Sequence, residues 1–168
     1  MFTGKSIGKI LFNCTNCGPS TTSPTKITTL FTITVKKYTS IQEHIDAISR
    51  KTKKCSHCNE NISKTHKYNS PPRLRVISLS PQSQGVKISK SIMLETESGP
   101  ITLNIRGAIY YTGSHFVSRI ISPTGEVWYH DGIETKRQCV HEGHLINFTG
   151  ETLKYQGNKI CVSVIYSI

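Results

Sequence analysis

The sequence predicts an α+β fold that is mostly β, with an antiparallel sheet, one short helix and a small cross-linked lobe. Three observations predict it. Most apolar residues occur in short runs rich in β-branched side chains and separated by Gly, Pro and Ser, which is typical of antiparallel strands. One segment has the spacing of an amphipathic helix. Two Cys-x-x-Cys pairs lie within the first 58 residues, where a shared ligand would close a lobe.

The first predicted elements are strands. Residues 7–12 form an apolar run that leads into the first cysteine pair. Residues 18–24 contain one glycine and two prolines, so we expect a loop there. Between residues 27 and 35 apolar side chains alternate with threonines, which indicates a second strand.

A short helix is predicted over residues 41–50. Ser40 is followed three residues later by Glu43, which is the spacing of a capping box. Three isoleucines recur at the spacing of one helical face: Ile41, Ile45 and Ile48. We expect this amphipathic helix to end where a basic cluster begins.

From residue 74 onward the pattern is strand, turn, strand to the end of the chain. Pro123-Thr124-Gly125 is a predicted hairpin turn. The predicted strands are residues 74–79, 92–94, 101–111, 116–121, 126–130 and 160–166. We therefore expect one continuous structural domain with a lobe over residues 1–70 and an antiparallel sheet over residues 71–168.

The two cysteine pairs predict a structural zinc site. Cys14 and Cys17 form one pair, Cys55 and Cys58 form the other, and 37 residues separate them. Each pair places two thiolates on one turn, and four thiolates in a tetrahedron are a ligand set that Zn²⁺ prefers. A closed four-sulfur site has no open position for substrate, so we expect a clamp and not a reactive centre. The alternatives are unligated thiols or a redox pair.

The charge of the chain is concentrated in its first part. The formal net charge is +11, and residues 1–70 hold eleven Lys and Arg against three acidic residues. The dense cluster is Arg50, Lys51, Lys53 and Lys54, directly before Cys55. It is interpreted either as a solvated rim that offsets the charge of a thiolate site or as a patch for nucleic acid or an acidic partner.

Several classes of protein are excluded by composition. No apolar run approaches the roughly 20 residues of a membrane span, and the N-terminus has no signal-peptide pattern. With four cysteines assigned to metal, Cys139 and Cys161 remain, which disfavours a secreted disulfide framework. We expect an intracellular protein of the cytoplasm or nucleus, with no membrane partner.

A histidine and an aspartate are expected to meet across the predicted hairpin. His115 lies at the start of one strand and Asp131 at the end of the next, 16 residues later. A carboxylate bonded to one imidazole nitrogen leaves the other nitrogen to accept a proton from a thiol or hydroxyl. A loop histidine with no catalytic use is the alternative.

The order of these features resembles the C-terminal part of a ubiquitin-specific protease, the papain-like deubiquitinating family. The segments that carry the resemblance are Phe2-Thr3-Gly4 before the first cysteine pair, Ser40-Ile41, Cys55-x-x-Cys58, Pro72-Arg73-Leu74-Arg75-Val76, the run ending in His115-Phe116, Trp128 with Asp131, and the closing strand 160–166. The sequence departs from the family where Ser114 precedes the histidine, where Phe116 replaces tyrosine and where Asp131 lies one residue closer to Trp128. The family's Asn-x-x-Cys-Phe nucleophile box does not occur in the sequence.

The resemblance implies the fingers and palm of such a protease without its thumb. His115 would be the general base and Asp131 its orienting partner, but the nucleophile would be missing. Cys139 is the one remaining thiol in a polar context, whereas Cys161 is expected in the core. We therefore expect a pseudoenzyme that binds ubiquitin or a ubiquitin-like protein or acts as a scaffold, with another protein chain covering the missing thumb surface. The alternatives are a zinc-containing nucleic-acid-binding module and half of a cysteine deubiquitinase completed by a thumb on another chain.

Overall fold

A computed structural model describes residues 5–21, 25–28, 30–33, 39–49, 53–69, 72–80 and 85–168. These residues form fourteen strands, one α-helix and two short 3₁₀ turns. The helix, α1, spans Ile41–Ser49. The strands are β1 (Lys5–Cys14), β2 (Gly18–Thr21), β3 (Thr25–Thr28), β4 (Leu30–Ile33), β5 (Lys53–Lys54), β6 (Asn61–Tyr68), β7 (Leu74–Leu79), β8 (Ser91–Thr96), β9 (Gly99–Tyr111), β10 (Phe116–Ile121), β11 (Glu126–His130), β12 (Val140–His144), β13 (Tyr155–Gln156) and β14 (Lys159–Ser167).

All fourteen strands belong to one hydrogen-bonded sheet. Its main path runs β12-β11-β10-β9-β8-β6-β1-β2, and β14 branches from β9 to pair with β7 and β13. Most pairings are antiparallel, as predicted, and two are parallel: β4 with β7, and β6 with β8. The β6–β8 pairing consists of Tyr68 opposite Thr96. This narrow connection divides the sheet into a cysteine lobe (β1, β2, β3, β5 and β6) and a main sheet (β4 and β7–β14).

The helix is fixed at both its start and its side. The Glu43 amide donates to Ser40 Oγ at 3.1 Å, and Glu43 Oε2 accepts from the Thr39 amide at 2.7 Å. This arrangement satisfies N-terminal amides that have no partner within a helix. Along the helix, the Gln42 side-chain amide accepts from Met93 N at 2.7 Å and donates to Met93 O at 3.3 Å. The helix therefore lies against β8.

The hydrophobic core lies on one face of the main sheet. Burial alternates along β8 and β10, so every second side chain enters the core. The largest fully buried apolar side chains include Tyr110, Tyr166, Ile77, Leu103 and Ile105. In the cysteine lobe, the buried apolar residues among those with described side chains are Cys14, Cys55 and Tyr68. The described core therefore lies almost entirely on the main sheet, and the described side chains of the cysteine lobe add Tyr68 to it.

Most predicted elements agree with the structure, but the sequence patterns do not predict β5, β6, β12 or β13. The helix ends within one residue of its prediction, and the seven strands predicted at residues 7–12 and beyond residue 74 are all present. The prediction of a loop over residues 18–24 is wrong for its first half, since Gly18–Thr21 is β2. The prediction of one strand over residues 27–35 is wrong, since the chain there forms β3, which pairs with β1, and β4, which pairs with β7. Residues 22–24, 29, 34–35 and 50, which belong to predicted elements, lie outside the described residues. None of the described residues forms a helix long and apolar enough to cross a membrane.

Candidate functional site

The four cysteines of the two pairs converge at the tip of the cysteine lobe. Their sulfur atoms all lie within 4.8 Å of one another. Cys14 Sγ lies 3.4 Å from Cys58 Sγ, and Cys17 Sγ lies 3.8 Å from Cys55 Sγ. Sulfurs bound at about 2.3 Å around one tetrahedral zinc would lie about 3.8 Å apart, so this cluster has the dimensions of a zinc site.

Local hairpin geometry produces the cluster. Cys14 ends β1, and the chain reverses at Gly18, which has a φ of +81° that glycine adopts without strain. Cys55 follows β5, and its amide donates to the Glu60 carbonyl at 2.8 Å to close the second turn. Because β1 and β6 pair with Cys14 opposite Ile62, the two turns lie side by side.

The electrostatics of the cluster favour a bound cation. Hydrogen bonds from the backbone amides of Cys58 and His57 lower the pKa of Cys55 to about 6. Hydrogen bonding to the Cys58 and Cys55 sulfurs raises the pKa of Cys17 to about 12. One thiolate therefore forms readily, but four thiolates this close together need a positive charge between them. Metal binding would supply that charge and release protons.

The predicted basic patch is described only in part. Lys53 and Lys54 are exposed on β5 beside the cysteine cluster, and Lys53 Nζ lies 6.0 Å from the centre of the Phe12 ring. Arg50 and Lys51 lie outside the described residues. Both interpretations of the cluster, a solvated rim and a patch for nucleic acid or an acidic partner, stay predictions.

The second site lies at one end of the main sheet, where β10 begins and β11 ends. His115 Nε2 lies 2.8 Å from Asp131 Oδ1. The Pro123-Thr124-Gly125 turn joins β10 and β11, with Ser118 opposite His130, and this register brings the two side chains together. The Asp131 side chain is 1% exposed and that of His115 is 26% exposed. The arrangement leaves Nδ1 of His115 as the imidazole nitrogen not bonded to Asp131.

Asp131 is held in its ionised form. Burial opposes the charge, but hydrogen bonds from the Glu134 and Ile133 amides, from His115 and from the Tyr129 hydroxyl together lower the pKa of this carboxyl well below its ordinary value. The amides donate to Oδ1 at 3.1 and 2.9 Å. A carboxylate that is ionised at neutral pH in this position favours the His115 tautomer that carries its proton on Nε2.

The thiols outside the cluster are poorly placed to serve as a nucleophile. Cys161 is buried in β14, where its Sγ donates to the Ser163 carbonyl at 3.4 Å, and burial raises its pKa to about 12. Cys139 is exposed in the segment between β11 and β12. No hydrogen bond joins either thiol to His115 in the described part of the chain. The structure therefore agrees with the placement of Cys161 in the core.

Cys139, His141 and His144 lie within six residues of one another in the sequence, but they do not form a second metal site. His141 Nε2 bonds to Glu126, and His144 Nε2 lies 2.9 Å from the Thr124 carbonyl. Within the described ranges, the four-cysteine cluster is the one group of three or more suitable ligands that lie together.

A buried polar network behind the His115–Asp131 pair was missed at the sequence level. Arg119 is 6% exposed, and its guanidinium donates to both oxygens of Glu142 at 2.6 and 3.2 Å. It also donates to the Tyr110 hydroxyl at 3.1 Å and to the Thr152 and Tyr155 carbonyls. The sequence does contain a sign of this network, because Arg119 occupies a core-facing position of the alternating strand β10. A buried arginine usually has an acidic partner.

The fold corresponds to that of solved structures of one kind. One is the SAGA DUB module bound to monoubiquitin, which contains a Ubp8 mutant together with Sgf11, Sus1 and Sgf73. The match covers 98% of this chain and 40% of the chain in that structure, with a TM-score of 0.63 and 12% sequence identity. A structure of the same module bound to ubiquitin aldehyde covers 98% and 41%, with a TM-score of 0.61 and 12% identity. The yeast SAGA DUBm with a mutant Sgf73 covers 98% and 41%, with a TM-score of 0.63 and 13% identity.

These similarities define the fold. The chain has the fold of the fingers and palm of a ubiquitin-specific protease, which is the resemblance predicted from its sequence. It spans about two fifths of the length of the chains that it matches. No protein-family model matches the sequence, and no curated protein matches it. At 12–13% sequence identity, the similarity extends to the fold and not to the activity or the binding partners of those proteins.

Proposed function

We propose that this chain is a ubiquitin-specific protease-like module that binds ubiquitin or a ubiquitin-like protein and does not hydrolyse it as a single chain. The cysteine lobe takes the part of the fingers, and the main sheet takes the part of the palm. The observation that carries the proposal is the match over 98% of this chain to structures that hold monoubiquitin or ubiquitin aldehyde. The convergence of four cysteines supports it, because zinc would stiffen the lobe that has to grip the partner.

The lack of hydrolysis by the single chain rests on the positions of the thiols. A cysteine hydrolase needs a thiol within reach of its histidine to form an acyl-enzyme. Four of the six cysteines form the cluster, Cys161 is buried and Cys139 has no bond to His115. The chain therefore retains a base without a nucleophile.

Ubiquitin binding is tested by calorimetry on the zinc-loaded chain, with chemical-shift changes mapped on its ¹⁵N spectrum. We expect saturable binding with little salt dependence, and shift changes in the cysteine lobe and at the edge of the main sheet that carries His115. Cys17→Ser should abolish binding because it breaks the metal site. Cys139→Ser removes an exposed thiol outside the site and is the matched control. Equal binding by both variants would contradict the proposal, and so would steeply salt-dependent binding to DNA or RNA without ubiquitin binding.

The lack of hydrolysis is tested with ubiquitin that carries a thiol-reactive group at its C-terminus. We expect no covalent adduct with the zinc-loaded chain. An adduct at Cys139 would show that the chain has its own nucleophile.

A second candidate is that the chain supplies half of an active site completed by a thumb on another chain. The observation that favours it is the 2.8 Å bond between His115 Nε2 and Asp131, which leaves Nδ1 able to take a proton from an incoming thiol. A polypeptide with an Asn-x-x-Cys-Phe box, added to this chain, should then react with the ubiquitin electrophile faster than it does alone. His115→Ala should remove that gain, and a gain that survives the substitution would exclude this role.

A further inference from the structure

The Asp131 carboxylate has a donor for each of its oxygens. Oδ1 accepts from His115 Nε2 at 2.8 Å, from Ile133 N at 2.9 Å and from Glu134 N at 3.1 Å. Oδ2 accepts from the Tyr129 hydroxyl at 3.1 Å. The group is almost fully buried, so an oxygen without a donor would cost about 1–3 kcal/mol or more. The Tyr129 hydroxyl is the donor that fixes Oδ2, while three other donors fix Oδ1.

Tyr129 is itself held firmly. It lies in β11 between two neighbouring strands, with Arg119 opposite it on β10 and Val140 opposite it on β12. Its ring packs against the hydrophobic core. Tyr129 lies in β11 and Asp131 is the first residue after it, so the two-residue spacing places both side chains on the same face of the sheet. The hydroxyl is thus delivered to Oδ2 from a rigid part of the sheet.

We propose that Tyr129 is a positioning residue for the His115–Asp131 pair. Its hydroxyl holds Oδ2 so that Oδ1 stays directed at His115 Nε2, which fixes the proton of the neutral imidazole on Nε2 and leaves Nδ1 as the proton acceptor. If the chain supplies half of an active site, Tyr129 is a third residue of that half. The inference rests on the proposed function only for the claim that the His115–Asp131 pair acts in catalysis. The arrangement itself is a property of the free chain.

The ionisation behaviour of the phenol supports this role. Burial, the bond to Asp131 and the negative charges of Asp131, Glu134 and Glu142 raise the pKa of Tyr129 to about 12. The hydroxyl therefore keeps its proton at neutral pH and always acts as a donor to the carboxylate.

The test is the tautomer of His115, read from the ¹⁵N chemical shifts of its two ring nitrogens in the full zinc-loaded chain. In the parent chain we expect a protonated shift at Nε2 and an unprotonated shift at Nδ1 in the neutral form. In Tyr129→Phe, which keeps the ring packing, the carboxylate is freed on one side and the two shifts should move towards each other. Tyr166→Phe is the matched control, since it removes a hydroxyl bond to the Ser89 carbonyl elsewhere in the sheet. It should leave the His115 shifts unchanged.

A folded Tyr129→Phe variant with parental His115 shifts would overturn the inference, because a merely structural hydroxyl would lower stability without moving the tautomer. A second measurement does not depend on that variant folding. In Asp131→Asn, loss of the carboxylate charge should lower the phenol pKa of Tyr129, read from its ¹³Cζ shift, and an unchanged pKa would equally overturn the inference. Neither measurement involves ubiquitin, so a failure of ubiquitin binding and a failure of this inference are distinguishable.

Discussion

Removing the metal from the zinc-loaded chain should unfold the cysteine lobe and leave the main sheet folded. The reason is the distribution of buried apolar surface. The described core cluster lies on the main sheet and its helix, and Tyr68, at the connection to the main sheet, is its one member from the cysteine lobe. A lobe whose described side chains contribute so little to the core depends on another interaction, as small metal-bound domains do.

The size of the effect follows from the loop that the site closes. Cys17 and Cys55 are 38 positions apart, and tying such a loop costs roughly 4 kcal/mol of chain entropy at 25 °C. Structural zinc sites in zinc-finger peptides have apparent binding free energies of about 10–16 kcal/mol at neutral pH, a value that already includes the ordering of the ligand loops. Loss of the metal therefore removes as much free energy as the whole stability of a typical domain, about 5–15 kcal/mol.

Hydrogen exchange followed by mass spectrometry measures this directly. After chelation, amides of β1 and β6 should exchange at nearly unprotected rates, while those of β9 and β14 stay protected. Cys17→Ser should reproduce the pattern without a chelator, and Cys139→Ser should not. Protection of β1 and β6 that persists in chain shown to be metal-free would refute the reasoning, as would purified protein that binds well below one zinc per chain.

Three further predictions concern the main sheet. Because folding lowers the pKa of Asp131, its ionised carboxylate stabilises the fold above the unfolded pKa of about 3.9, and this stability is lost as pH falls through the folded pKa. The free energy of unfolding in urea should therefore depend less on pH in acid for Asp131→Asn than for the parent chain. Arg119→Met should cost about 3–5 kcal/mol by leaving Glu142 without its cation, and adding Glu142→Gln should recover part of it; strictly additive losses would contradict the pairing. Gly125→Ala should lower the free energy of unfolding by about 1–3 kcal/mol, because Gly125 has a φ of +92° and the new Cβ would lie 2.6 Å from His144 Nε2. In the control Gly132→Ala, the new Cβ has no atom within 4 Å, so the melting temperature should change little.

The sequence by itself determined the elements whose signals are local. A capping box and three isoleucines set the helix, and β-branched runs set the long strands of the main sheet. Cys-x-x-Cys spacing identified all four members of the sulfur cluster, because a turn of four residues brings two sulfurs together wherever it occurs. The hairpin turn similarly placed His115 near Asp131, since register follows from the length of a hairpin.

Only the tertiary structure decided what depends on partners distant in the chain. β2, β5 and β6 carry mostly polar residues, and they are strands because their backbone groups pair with β1 and with one another. The Arg119–Glu142 pair joins residues 23 apart on β10 and β12, which are not adjacent in the sheet. Pairing energy of this kind is realised only when distant strands meet, so no local pattern contains it.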